Sequence, residues 1–402
     1  MTEPSEGWTR VAAILSFPDT PGFTETYGFA GASGKVWLEG QYLIPRERLS
    51  KTLYLFMHPS STLHLLPMPA ALVGAGLHVL CAASRYPKND SSLIIEKVAI
   101  DMGAWVKDAR VRGYEKVILV GWSGGGSLSL FYQAEAEAPS VTATPAGDAV
   151  DLTRAGLEPA DGVIFIAAHL SRAGTLTEWL DPSVTDELDP DRRELEFDIY
   201  DRACPHQPPY SDEFITRFRV TQIARNRKIT GWCQEWLDTL RRRGTSEVER
   251  CFVVHRTMCD VRWLDPCIDP DGRQLGWCYL GDPRTANTSP VGLARYSSLR
   301  SWLSQWITIC RMRKGRRTRR ASAARRYYRS RTKQMMPCPP RTIRQSAQPS
   351  RHQTRNISGS KARPIIIRTS LLSCTNASMR YWIGATAKDC LQTDHSPGVS
   401  WR

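Results

Sequence analysis

Across residues 1–306 short apolar runs alternate with amphipathic stretches, a rhythm that predicts alternating strands and helices. Residues 11–15 (VAAIL) and 35–40 (KVWLEG) read as early strands separated by a glycine-rich turn at 28–34. Residues 52–57 (TLYLFM) form an apolar run of the length and composition of a fully buried strand. A helix is expected over 65–73 and a strand over 77–82. Asp90-Ser91-Ser92 supplies an N-cap signal for a long amphipathic helix reaching about residue 109. Residues 116–121 (KVILVG) are β-branched, 127–136 have helical character, and 163–168 (VIFIAA) read as another buried strand.

The rhythm breaks after His169. Residues 171–285 are polar, rich in Trp and Asp-Pro, and helical in places such as 221–243. This composition predicts an inserted helical cap between a core at 1–170 and a return helix within 286–306. From residue 307 no sustained hydrophobic period is found, and 307–402 read as an irregular, disordered tail. The expected class is therefore α/β, a mostly parallel sheet layered with helices and carrying a large cap.

Charge sharpens the division. Residues 307–402 hold 22 Lys+Arg against 2 Asp+Glu, whereas residues 1–306 hold 32 against 38. The net charge of +14 is thus a property of the tail. The longest apolar stretch, 70–83, contains His78 and two glycines and is too short to span a bilayer, so no membrane role is expected. Residues 1–7 show no basic and apolar leader pattern, and the 11 cysteines contain no CxxC pair. Reduced thiols in a cytoplasm are expected, and Cys251, Cys259, Cys267 and Cys278 are spaced too widely for a zinc knuckle.

The chemistry-bearing motif is Gly121-Trp122-Ser123-Gly124-Gly125, lying between the 116–121 strand and the 127–136 helix. A serine on such a sharp turn holds its hydroxyl above the C-terminal edge of the sheet. Gly121 and Gly125 remove side chains where strand and helix converge. Gly124 offers a backbone N–H at a helix N-terminus, suited to a developing oxyanion. Residues 50–170 resemble the core of the α/β-hydrolase family. The resemblance implies Ser123 as nucleophile and a second oxyanion donor from the loop His58-Pro59-Ser60-Ser61, through the backbone of Ser60 or Ser61. It fades over the cap and stops near Trp306.

Other candidates carry less. Gly31-Ala32-Ser33-Gly34-Lys35-Val36 partly matches a phosphate loop but lacks its first glycine and its Ser/Thr, so a hairpin turn is expected. Asp269-Pro270-Asp271-Gly272 reads as a turn, since the remaining calcium ligands are missing. His169 and His255 are read as structural, although His169 follows a core strand and could face the serine. Trp232, Trp236, Trp263 and Trp277 are read first as packing of the cap, and secondly as the lining of an apolar pocket. No metal or organic cofactor is implied.

A serine of this kind needs a histidine and an acid later in the chain. The tail offers His352, His395, Asp389 and Asp394, and none follows a strand-like run. A different signal emerges if each codon is built from the third base of one residue and the first two of the next. Met335-Met336 then forces Asp, Met336-Pro337 forces Ala and Tyr327-Tyr328 forces Leu. The intervening residues permit L-x-[V/I]-E-N-E-A-D-D-A-[V/L]-P, which is similar to a core strand followed by the family's acid-bearing turn. Residues 361–367 permit G-A-T-H-Y-Y, similar to its histidine turn. The tail thus reads as a shifted frame beginning near Trp306.

These features predict a serine hydrolase acting on an ester, thioester or related acyl bond of a small molecule, impaired in this chain because acid and histidine are absent. The alternatives are a non-catalytic ligand-binding protein of the same fold, and nucleic-acid binding through Arg316-Arg317-Thr318-Arg319-Arg320 and Arg325-Arg326-Tyr327-Tyr328.

Overall fold

The computed structural model describes residues 7–19, 34–268, 274–290 and 292–307, together with the backbone of a strand at 365–369. Strands β1 (Trp8–Pro18) and β2 (Lys35–Pro45) form an antiparallel pair. β3 (Thr52–Met57), β4 (His78–Ala82), β5 (Lys116–Trp122) and β6 (Gly162–Ile166) are parallel neighbours. With β11 (Ile365–Thr369) they form a seven-stranded sheet of order β1-β2-β4-β3-β5-β6-β11. Helices α1 (Pro67–Gly74), α2 (Ile95–Val111) and α3 (Gly125–Glu137) connect the parallel strands.

The period of two along each strand sorts side chains to two faces. Leu53, Leu55 and Met57 join Val117, Leu119, Val163 and Phe165 in a core covered by Val98, Met102, Trp105 and Val106 of α2 and Leu128 and Tyr132 of α3. Tyr54 and Phe56 face the other way and pack with Val79, Val120, Ile164 and Ile166 under Met68 and Val73 of α1. Burial on both faces explains why these strands are continuously apolar. The result is a helix–sheet–helix sandwich with a mostly parallel sheet, which fits the α/β-hydrolase arrangement expected from the sequence.

Two expectations change here. Asp90-Ser91-Ser92 does not cap α2, which starts at Ile95 with Ile94 in the cap position. Asp90 is used for tertiary contact instead. Its carboxylate accepts from the Ala294 N–H at 2.8 Å, and its carbonyl accepts from Gln305 Nε2 at 2.8 Å. The tail, expected to be irregular, contributes β11, whose residues run from Ile365 beside Gly162 to Thr369 beside Ile166. Three consecutive isoleucines are too few to show a period, yet β-branched residues favour a parallel strand.

Residues beyond His169 build a second set of elements: α4 (Arg172–Trp179), the hairpin of β7 (Val184–Asp186) and β8 (Asp189–Arg193), α5 (Asp212–Arg243), β9 (Cys251–Val253), α6 (Pro283–Thr288), β10 (Tyr296–Ser298) and α7 (Leu299–Trp306). α5 extends the expected helix by more than two turns at its N-terminus. Ser211 Oγ caps it by accepting from the Phe214 N–H, and Asp212 and Glu213 occupy its first turn. Arg241, Arg242 and Arg243 occupy its last turn, and Gly244, left-handed at φ 60°, closes it. Leu176, Ile229, Leu237, Leu299, Trp302 and Trp306 form the core joining α4, α5 and α7. α7 thus packs on α4 and α5, and it also reaches α2, where Ser304 Oγ accepts from the Ile95 N–H and donates to Glu96. Among the described residues no helix is long and apolar enough to cross a membrane.

Candidate active site

β5 ends at Trp122 and α3 begins at Gly125, so Ser123 and Gly124 alone turn the chain. Ser123 has φ 50°, in the left-handed region that costs a residue with a Cβ about 1–2 kcal/mol. The surroundings hold it there. Its N–H donates to the Ile166 carbonyl of β6 at 3.3 Å, and its carbonyl accepts from the N–H groups of Gly126 at 3.1 Å and His169 at 2.9 Å.

The glycines show how tightly the turn is made. A Cβ on Gly121 would lie 2.6 Å from the Gly126 Cα, and one on Gly125 would collide with the Met57 carbonyl oxygen. Gly126, the third glycine of the run and not singled out from sequence, would place a Cβ 2.5 Å from the Ala168 Cβ. Strand, helix and the 168–169 turn therefore meet at backbone contact. Ala167, also left-handed at φ 44°, ends the strand expected over 163–168 two residues early and folds His169 back onto Ser123.

The loop after β3 is organised around His58, which is 6% exposed. Its Nδ1 accepts from the N–H of Ser60 at 3.2 Å and of Ser61 at 2.9 Å. A backbone N–H can only donate, so Nδ1 carries the lone pair and the neutral ring carries its hydrogen on Nε2. That Nε2 faces Gly124, 2.7 Å from where a Cβ would stand. Burial, then the charges of Arg172 and His169, push the imidazole down to about 3. The loop is fastened by Ser84 Oγ donating to the Pro59 carbonyl at 2.5 Å and by the Lys88 N–H donating to the Ser60 carbonyl at 2.6 Å. The Ser60 and Ser61 amides therefore hold the His58 ring.

Three participants lie beyond the residues the sequence nominated. His58 was visible only as the first residue of its loop. Arg172, the first residue of α4, is 9% exposed and places Nη1 3.4 Å from the Cβ position of Gly124. Its Nε and Nη2 donate to Gln305 Oε1 of α7 at 2.8 and 2.5 Å. Trp179 meets the His169 ring edge-on at 5.3 Å and contacts Trp263 at 5.7 Å and Tyr279 at 5.5 Å. These three groups lie 49 to 65 residues from Ser123 along the chain, and no local pattern marks them.

Of the nominated tryptophans, Trp263 connects through Trp179 to His169. Trp232 and Trp236 pack together at 6.4 Å, Trp232 meets Phe252 at 5.0 Å, and Arg250 lies over Trp236 at 3.8 Å. Trp277 is exposed. His255 gives its carbonyl to Arg225 Nη2 at 2.9 Å. Cys251 and Cys267 are exposed and Cys259 and Cys278 buried, all as free thiols. Among the described residues no cluster of His, Cys, Asp and Glu is arranged to hold a metal ion. Residues 31–33 and 269–272, the basic runs of the tail, and His352, Asp389, Asp394 and His395 lie outside the described residues.

Neither imidazole near Ser123 has a carboxylate partner among the described residues. Burial lowers the pKa of His169, and the charges of Arg172 and Arg262 lower it further. A triad acid acts in the opposite sense, favouring the imidazolium.

No protein-family model matches the chain, and no curated protein does. Among solved structures it is similar to a bacterial heroin esterase (14% identity over 44% of this chain and 51% of that one, TM-score 0.29). It is likewise similar to brefeldin A esterase, a bacterial homologue of human hormone-sensitive lipase (17% identity, 48% and 50%, TM-score 0.29). A third likeness is to the esterase Est22 (14% identity, 39% and 45%, TM-score 0.26). The chain spans about half the length of these structures.

Proposed function

We propose that the chain carries the scaffold of a serine acyl hydrolase with Ser123 as nucleophile, and that in its present sequence it turns over slowly or not at all. The supporting observation is the strained φ of 50° at Ser123, held between a parallel strand and a helix by three glycine contacts. Strain of that kind persists at a position whose geometry is used. Residues 171–285 serve in this reading as the cap over the site.

Ser123 Oγ would attack the carbonyl carbon of a small ester or thioester, forming the Oγ–C bond. The carbonyl oxygen would gather charge against the Gly124 N–H and the loop of residues 58–61. In that loop the Ser60 and Ser61 amides orient His58 so that its Nε2–H faces Gly124. Collapse breaks the bond to the leaving group and leaves an acyl-serine, which water then hydrolyses. None of these steps calls for a metal or organic cofactor.

The Oγ proton is the obstacle. It must pass to a base and then to the leaving group. His169 is tied to Ser123 only through its backbone N–H, which donates to the Ser123 carbonyl, and its neighbours Arg172 and Arg262 disfavour a second proton on its ring. We read the base and acid as lost through a shifted frame after Trp306. A fluorophosphonate probe tests the nucleophile: a slow adduct mapping to Ser123 and absent from Ser123→Ala is expected. No adduct together with measurable binding of an ester would favour the non-catalytic receptor, a reading that the cation-flanked imidazoles also suit.

A further inference from the structure

The guanidinium of Arg172 is out of place as a structural group. It is nine-tenths buried, and among the described residues it has no carboxylate ion pair. Gln305 Oε1, a neutral amide oxygen, takes Nε and Nη2, and among the described residues no hydrogen bond takes up Nη1. Three other buried arginines are treated differently: Arg85 is bound by Asp101 and Asp19, Arg225 by Glu187 and Arg300 by Asp148, whereas Arg295 has, like Arg172, only a neutral oxygen, the Asn287 carbonyl. Taking a cation out of water costs several kcal/mol unless an anion compensates it. Asp90 and Tyr279 act on Arg172 in the compensating sense, yet burial prevails and its pKa is lowered. An apolar side chain would anchor α7 to the elbow without that cost.

The unclaimed Nη1 does not face a random surface. It and His58 Nε2–H converge on one point beside Gly124, at 3.4 and 2.7 Å from the Cβ position. Trp179, with Tyr279 and His169 against it, forms an aromatic flank on the same side of α4. A planar guanidinium fork with a free edge matches a carboxylate or phosphate.

We propose that Arg172 forms an anion-binding subsite beside Ser123, and that the acyl compound taken by this site carries a carboxylate or phosphate a few bonds from its carbonyl group. The proposal rests on the acyl-hydrolase reading for the word acyl, but the subsite itself does not depend on turnover. Arg172 holds the anionic end, and His58 and Gly124 face the carbonyl. The charge missing from the protein's side of the site is supplied by the ligand.

The test is calorimetric titration of the full chain and of Ser123→Ala with the monomethyl esters of malonate, succinate, glutarate and adipate, each against its dimethyl ester. At least one half-ester is expected to bind about tenfold or more tightly than its neutral partner, as a hydrogen bond to a charged group warrants. Arg172→Gln should abolish that preference and Arg172→Lys should retain part of it. Competition by inorganic phosphate would assign the subsite to phosphate as well, and its absence would assign it to carboxylates. The proposal is overturned if no half-ester is preferred, or if Arg172→Gln weakens half-ester and diester equally. Should Arg172→Gln fail to fold, a ligand-induced shift of the Arg172 Nε–H resonance in the unmodified chain decides, and its invariance across the series counts against the proposal. Fluorophosphonate labelling remains separate: an adduct without half-ester preference removes the subsite and keeps the nucleophile, whereas preference without an adduct does the reverse.

Discussion

The Ser61 amide donates to Nδ1 of His58 at 2.9 Å, and this one bond fixes which nitrogen of the ring faces Gly124. It makes the histidine after β3 a donor toward the elbow and leaves it poorly suited to act as a base. Several measurable properties depend on that arrangement.

The first is pH dependence. The free imidazole value of about 6.5 falls to about 3 in the folded chain, chiefly through burial. Below pH 6.5 the unfolded chain takes up a proton at His58 that the folded chain refuses until about pH 3. Stability therefore falls as pH falls across that window, and His58 adds no slope above it. His58→Asn keeps an acceptor for the Ser60 and Ser61 amides and removes the titration. Between pH 7 and pH 5 the unmodified chain should lose about 2 kcal/mol more than His58→Asn in urea unfolding. Equal losses would show that His58 is not held neutral.

The glycines of the elbow separate stability from access. Gly125→Ala drives a Cβ into the Met57 carbonyl, a backbone atom that cannot move alone, and should cost about 2–4 kcal/mol in chemical unfolding. Gly124→Ala meets the His58 ring and the end of Arg172, both side chains. It should cost less, about 1–2 kcal/mol, while slowing Ser123 labelling at least tenfold. A reversed order of the two stabilities would contradict the packing described.

Ser123 itself should be replaceable to advantage. At φ 50° a glycine escapes the clash that a Cβ creates, so Ser123→Gly should be about 1 kcal/mol more stable than Ser123→Ala. Thermal unfolding of the two variants checks this, and identical midpoints would mean that the backbone relaxes when the hydroxyl is removed.

Much of this was legible in the chain. Residues 52–57 carried their strand to the residue, because a run buried on both faces is apolar throughout. Gly121 to Gly125 announced the elbow because the turn itself is local, with Gly121 against Gly126, although Gly124 and Gly125 also clear the distant His58 ring and Met57 carbonyl. Arg172, Trp179 and Gln305 were not legible, since their roles arise from contacts across the fold, such as the 133 residues between Arg172 and Gln305. Asp90 misled because a good cap residue is equally a good acceptor for distant amides. β11 was missed because its signal is three residues long.

The tail offers two further checks. The shifted-frame reading expects one inserted or missing base between codons 300 and 310 of the nucleotide sequence. It also expects that removing residues 307–402 leaves retention on RNA and DNA unchanged. Salt-sensitive retention that disappears with the tail would favour nucleic-acid binding instead.

The most direct test joins nucleophile and tail in one assay, the initial rate of p-nitrophenyl acetate hydrolysis. The chain as it stands should show little or no Ser123-dependent rate. The same gene with a single-base change near codon 306, so that the later codons start on the present third base, should gain a rate that Ser123→Ala abolishes. Robust Ser123-dependent hydrolysis by the present chain, or an inert frame-restored chain, would contradict the assignment.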